Sequence, residues 1–183
     1  MLEGKTVNLR VMEKEDVDYL FECINEIDIW GEYNPVDEQV SKSELMKRFD
    51  NPSNLEVLLE SKTFIIQKKD GTRIGIIWHI VNQPSRIIEI GCFLVPSETG
   101  KGYGTEATQL MVDYLFLSKN IVRIQAAANV RNKASQRVLE KAGFRIEGTC
   151  RKSSFVRGVW TDSHIYSILR DEWKEPRVLT KTN

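Results

Sequence analysis

The chain has 183 residues, the size of one domain, and 41% of them are hydrophobic, enough for a sizeable core. Lys plus Arg equals Asp plus Glu at 26 each, so the net charge is zero and binding to a nucleic-acid backbone is disfavoured. No apolar run approaches the ~20 residues that cross a bilayer, and Met1 to Lys5 show no signal-peptide core. Cys23, Cys92 and Cys150 are far apart and odd in number, with no zinc spacing, and read as reduced thiols of a cytoplasmic protein. His79 and His164 are too few and too separated for a metal site.

Thr6 to Val11 alternates as a half-buried strand. An acidic cluster, Glu13 to Asp16, then precedes apolar residues at Val17, Leu20, Phe21 and Ile24, which predicts a helix with acid at its positive end. Glu26 to Gln39 has no periodicity and reads as a loop carrying Trp30 and Tyr33. Ser41 to Glu44 is a capping box ahead of Leu45, Met46 and Phe49, so a second helix runs up to Asn51-Pro52. Thr63 to Lys68 and Ile74 to Val81 are strands joined by a turn at Asp70-Gly71. Asn82 to Ser85 turns the chain into a third strand.

That third strand, Ile87 to Val95, is apolar and β-branched, and too short for a helix. Gly100, Gly102 and Gly104 follow, and then a helix with Ala107, Leu110, Met111, Tyr114 and Leu115 on one face. Strand, glycine-rich turn and helix N-terminus together make an anion site. Backbone N–H groups are unobstructed there and the helix dipole adds positive charge, so a diphosphate is the natural guest. A Walker A loop does not fit, because Gly102 follows Lys101. A dinucleotide fingerprint does not fit either, because Thr105 stands where its third glycine belongs.

Ile121 to Ala128 is the next strand. Asn132 can cap a helix whose inner side carries Ala134, Val138, Leu139 and Ala142 and which Gly143 ends. A strand starts at Phe144 to Glu147, a turn falls at Val156 to Val159, and Thr161 to Leu169 is the final strand. The polar tail from Lys174 onward reads as frayed. The order β-α-α-β-β-β-α-β-α-β-β is an α+β layout with a mixed, mostly antiparallel central sheet flanked by helices.

The glycine turn resembles the pyrophosphate loop of the GNAT acetyltransferases, Arg/Gln-x-x-Gly-x-Gly/Ala. Gly102 and Gly104 stand at the two small positions, and Thr99 stands where Arg or Gln is usual. The element order is similar to the GNAT acyl-CoA N-acyltransferase fold over nearly the whole chain. Further stretches resemble its RimJ/RimL branch, the ribosomal-protein alanine N-acetyltransferases. These are Leu9-Arg10 with Glu15-Asp16, Glu89-Ile90-Gly91, Gly102 to Ala107, and Asn129, Asn132 and Ser135 with Glu140 to Phe144. Glu147-Gly148, Arg151, Gly158, Asp162 and Tyr166 are spaced like its closing hairpin.

The resemblance implies one domain over residues 1–173, a tail over 174–183, and transfer of acetyl from acetyl-CoA to a primary amine by direct attack, without a metal. A protein N-terminal α-amine is the expected acceptor. A polyamine or aminoglycoside acetyltransferase, or a non-catalytic CoA-binding module, is the alternative. Glu89 is the expected base acting through water, against an ordinary solvated residue on a sheet face. Backbone N–H groups near Phe93, Leu94 and Val95 would serve the oxyanion and the pantetheine arm while their side chains pack in the core, and Gly100, Gly102, Tyr103, Gly104 and Thr105 would hold the diphosphate, with Lys101 touching a phosphate or pointing to solvent. Asn132 would bind pantetheine or simply cap its helix. Leu139 replaces a usual tyrosine acid, and Ser135 is its suggested substitute, against a plain first-turn hydroxyl. Trp30, Tyr33 and Trp160 would line the acceptor site or pack. The expected assembly is a monomer or homodimer, with neither nucleic acid nor membrane as partner.

Overall fold

Short β-branched runs pair in sequence order to build the first half of the sheet. In the computed structural model, which describes residues 1–26, 32–33, 39–50, 62–82 and 87–179, β1 (Leu2–Glu3), β2 (Val7–Val11), β3 (Lys62–Lys68), β4 (Arg73–Asn82) and β5 (Ile87–Leu94) are successive antiparallel neighbours. β6 (Arg123–Asn129), β7 (Arg145–Val156) and β8 (Val159–Leu169) complete the sheet in the order β1-β2-β3-β4-β5-β6-β8-β7. The β5–β6 pair is parallel, and α3 (Tyr103–Ser118) makes the crossover between the two strands. β1 is two residues long, too short for alternation to reveal it in the sequence.

Helices cover both faces. On one face α3 packs Ala107, Leu110, Met111 and Leu115 against Val7, Leu9, Phe64, Ile77, Ile88, Ile124 and Tyr166, joined by Leu139 and Ala142 of α4 (Lys133–Ala142). On the other, α1 (Val17–Asn25) and α2 (Lys42–Asp50) bury Val17, Leu20, Cys23 and Leu45 against Ile65, Ile76 and Phe93. The Arg10 guanidinium grips the buried Asp16 carboxylate with two bonds of 2.8 Å. The Leu9-Arg10/Glu15-Asp16 pattern is therefore an anchor between β2 and the start of α1. The capping box forms as expected: Glu44 N–H donates to Ser41 Oγ at 3.2 Å, and Ser41 N–H to Glu44 Oε2 at 2.7 Å.

Three expectations change. On α4 Ala134 is exposed, and Gln136 takes the inward position, its amide donating to the carbonyls of Asn129 (3.0 Å) and Val130 (2.9 Å). The last hairpin is longer than the sequence implies. Arg157 and Gly158 both have positive φ, 47° and 82°, so Val156 pairs directly with Val159 across a two-residue turn. Almost all of β7 faces solvent, so no apolar alternation betrayed its length. The tail is docked rather than frayed as far as Leu179. Asp113, buried in α3, accepts from Trp173 Nε1 and from the N–H groups of Arg177, Val178 and Leu179 at 2.9–3.1 Å. Among the described residues no helix is long and apolar enough to cross a membrane.

Candidate active site

The site follows from where β5 and β6 part. β5 pairs with β4 along its whole length, and β6 pairs with β8 along its whole length. Between them the parallel ladder holds only at Ile88↔Ile124 and Glu89↔Gln125. Beyond that rung, among the described residues, the two strands present unpaired edges, and a wedge opens toward their C-terminal ends. Since β5 and β6 are parallel, the helices that follow them, α3 and α4, both start at the mouth of this wedge.

Val95 N–H donates to Ile74 O at 2.9 Å, so it is committed to β4. N–H groups alternate sides along a strand, so the Phe93 amide also faces β4 and those of Cys92 and Leu94 face the wedge. Of the three expected backbone donors only Leu94 points the right way, and Cys92 joins it. Sequence alone could not fix this parity, which depends on the register with β4.

At the mouth, Gly102 is the N-cap of α3 with φ 91°, and Gly100 has φ 75°. Glu106 N–H is the first α3 amide to reach an intrahelical acceptor, Gly102 O at 3.1 Å. The amides of Tyr103, Gly104 and Thr105 precede it and are aimed outward, as at any helix N-terminus. Gly102 and Thr105 also line a surface groove with Lys5, Lys141 and Arg177. Glu106, in the same groove, gives its carboxylate to the Thr6 N–H and hydroxyl. Lys101 is paired with Glu98 at 3.0 Å, and the Thr99 hydroxyl donates to Pro96 O at 2.8 Å. Gly104 has a different role. A Cβ there would lie in ordinary contact, 3.4 Å from Leu94 Cδ1 and 3.6 Å from Val138 Cγ2, so the point where β5, α3 and α4 meet has room for a methyl group but not for a branched side chain.

At the apex, Glu89 is half-buried on the face that β5 turns toward α1. Its Oε2 accepts from Gln125 Nε2 at 3.2 Å and from Asn82 Nδ2 at 3.4 Å. Gly91, next along that face, is a glycine because the Trp78 indole occupies its side-chain space: a Cβ would meet Trp78 Cζ2 at 2.1 Å. Trp78 thus walls the site beside Glu89. The sequence reading missed it, although a glycine inside a β-branched strand signals a close neighbour. Further along the same face, Arg123 holds Glu147 with bonds of 2.7 and 2.5 Å, and Ser167 Oγ donates to it at 2.6 Å. The Arg123 guanidinium, aided by the Ser167 hydroxyl, pulls the Glu147 carboxyl down to about 2.

On α4, Asn132 Oδ1 accepts Ser135 N–H at 3.0 Å, so the cap forms and leaves the Asn132 NH₂ uncommitted among the described residues. Ser135 is half-buried in the first turn, one turn before Val138. Tyr33 reaches the end of β6, with the Arg131 guanidinium 5.7 Å from its ring. Trp30 lies outside the described residues. Trp160 is not brought to Glu89. Ser167 is level with Gln125, and Trp160 lies further up β8 by about 23 Å at the usual strand rise. Strand alternation also turns Trp160 to the opposite face, where it is exposed and stacks near Phe155. Among the described residues no group of three or more His, Cys, Asp or Glu could hold a metal ion.

Comparison with known proteins yields a family model, "Acetyltransferase (GNAT) domain", matching residues 6–145. The chain is 34% identical to the probable N-acetyltransferase YjcK of Bacillus subtilis, over 94% of this chain and 98% of that one. The ribosomal-protein-S5-alanine acetyltransferase of Vibrio fischeri superposes with a TM-score of 0.81 at 24% identity, covering 94% of this chain and 97% of that one. The spermidine N-acetyltransferase of Vibrio cholerae, solved with CoA and spermine, superposes with a TM-score of 0.80 at 23% identity, covering 91% and 97%. At these identities the two structures establish the shared fold.

Proposed function

This chain belongs to the GNAT acetyltransferase family and is an N-acetyltransferase, and on that footing we propose that it moves acetyl from acetyl-CoA to the free α-amine of a peptide or protein N-terminus. The observation that carries the acceptor reading is the setting of Glu89. It is one carboxylate at the wedge apex, held by neutral amides, while Glu147 on the same face is matched by Arg123. Among the described residues no cation pairs with Glu89, and one such negative charge suits one ammonium group. An α-amine, with a pKa of about 7.7–8.0 against about 10.4 for lysine, gives up its proton to a modest base near neutral pH.

In this reading Glu89 takes the amine's proton through water. Acetyl-CoA supplies the activated acyl carbon and a thiolate leaving group. The Cys92 and Leu94 amides on the open edge of β5 receive the pantetheine arm and the developing oxyanion. The Gly100 to Thr105 turn, with its outward N–H groups, holds the diphosphate. Asn132 donates its free NH₂ to the pantetheine, and Ser135 gives a proton to the departing thiolate. Trp78 and Tyr33 line the acceptor path.

The test is initial rates on peptides with free alanine or serine N-termini, the same peptides blocked there but carrying lysine, and spermidine. Free N-termini are expected to react fastest. Faster acetylation of blocked lysine peptides or spermidine would overturn the acceptor assignment. The polyamine reading is supported by the Vibrio cholerae protein of the same fold, which is a spermidine enzyme.

A further inference from the structure

We propose that Gln125 is a positioning residue for Glu89: with Asn82 it pins Oε2, so that Oε1 is the oxygen offered to the acceptor. This rests on the role given to Glu89 above. Gln125 stands opposite Glu89 on the last rung before β5 and β6 separate, so both backbones are fixed where the cleft begins. Its side chain shares the face of Glu89, and its amide donates at 3.2 Å. Asn82, at the end of β4, donates to the same oxygen at 3.4 Å from the other flank. Among the described residues both hydrogen bonds accepted by this carboxylate fall on Oε2.

The chemistry favours neutral donors at this place. An arginine or lysine partner would orient Glu89 equally well, but it would cancel the charge that attracts an ammonium. Arg123, two positions before Gln125 on the same face, could play that part, yet both its bonds go to Glu147, which Ser167 holds from the other side. The face therefore sorts its charges. The cation is spent one rung below the site, and two carboxamides fix the working carboxylate without neutralising it.

The experiment is a double-mutant cycle on the full chain, with Gln125→Ala, Glu89→Gln and the two combined. It measures acetylation of an alanine-starting peptide and of spermidine across pH. Gln125→Ala is expected to lower kcat about tenfold, to leave KM for acetyl-CoA unchanged and to displace the acid limb of the pH–rate profile. In the Glu89→Gln background the same change should cost nothing more. Asn82→Ala, from another strand, should repeat the pattern with a smaller loss, which guards against a folding artefact at Gln125. An equal loss from Gln125→Ala in both backgrounds, or no loss in the wild-type background, overturns the positioning role. Wild-type activity of Glu89→Gln alone would instead remove the role of Glu89.

Discussion

Gly91, Gly102 and Gly104 stand in three different settings, and the differences can be measured. Gly102 needs its positive φ, since a Cβ there would meet nothing within 4 Å. Gly102→Ala should cost about 1–2 kcal/mol of left-handed strain and weaken acetyl-CoA binding in calorimetry; unchanged affinity would remove the turn from the cofactor site. At Gly104 a methyl group would make ordinary contact, and only a larger side chain would be crowded. Gly104→Val would drive methyl groups at Leu94 and Val138, so its main effect should be a loss of about 1–3 kcal/mol in thermal or denaturant unfolding. His79 gives a pH prediction. It is buried beside the Phe64–Tyr114 ring pair, and among the described residues neither ring nitrogen has a hydrogen-bond partner. Burial, aided by Lys119 and Lys62, pushes its pKa down to about 4. The unfolded chain binds this proton near 6.5, so its contribution is complete above that pH and is lost as pH falls toward 4, by up to about 1.4 kcal/mol per unit. His79→Leu should flatten that acid slope in urea titrations, and an unchanged slope would place the sensitivity elsewhere.

Among the elements, the strap from Trp173 to Leu179 holds more than its polar sequence suggests. Its indole and three backbone N–H groups converge on Asp113. Arg177 also reaches the last turn of α4, where its Nη1 lies 3.5 Å from Lys141 O. Asp113→Ala leaves those donors without an acceptor, and a loss of about 2–4 kcal/mol is expected from several orphaned groups. Hydrogen exchange should show the Arg177 to Leu179 amides unprotected in the variant. Protection retained there would mean that the strap is held by packing of Trp173 on Phe116 instead. The α2 cap is a smaller matter. Ser41→Ala removes one side of a reciprocal pair at the surface and should cost about 1 kcal/mol.

The fold as a whole is a sheet deliberately left unzipped in its middle. A ligand that pairs with the edge of β5 beyond Glu89 stabilises the folded state by mass action. At about 100 times its Kd, acetyl-CoA should add about 2.7 kcal/mol, or a rise in Tm of about 5–10 °C for a chain this size. Gly102→Ala should lose most of that rise. A wild-type melting curve indifferent to acetyl-CoA would count against the wedge as the cofactor site.

Local physics wrote much of this protein openly into its sequence. The Ser41–Glu44 box, the Asn132 cap, the Gly143 stop and the apolar stripe of α3 each act over four residues or one helix face, so their signal is contiguous. The glycine turn was legible for the same reason. What sequence left open involves residues far apart in the chain. Which β5 amides face the wedge depends on pairing with Ile74. The partners of Glu89 come from β4 and β6. Trp78 reaches Gly91 only across a strand boundary. Trp160, expected to line the acceptor site or to pack, is carried away by the length of β8 and turned to the other face by its alternation. Register and parity are set by long-range pairing of whole strands, and no short window of sequence contains them.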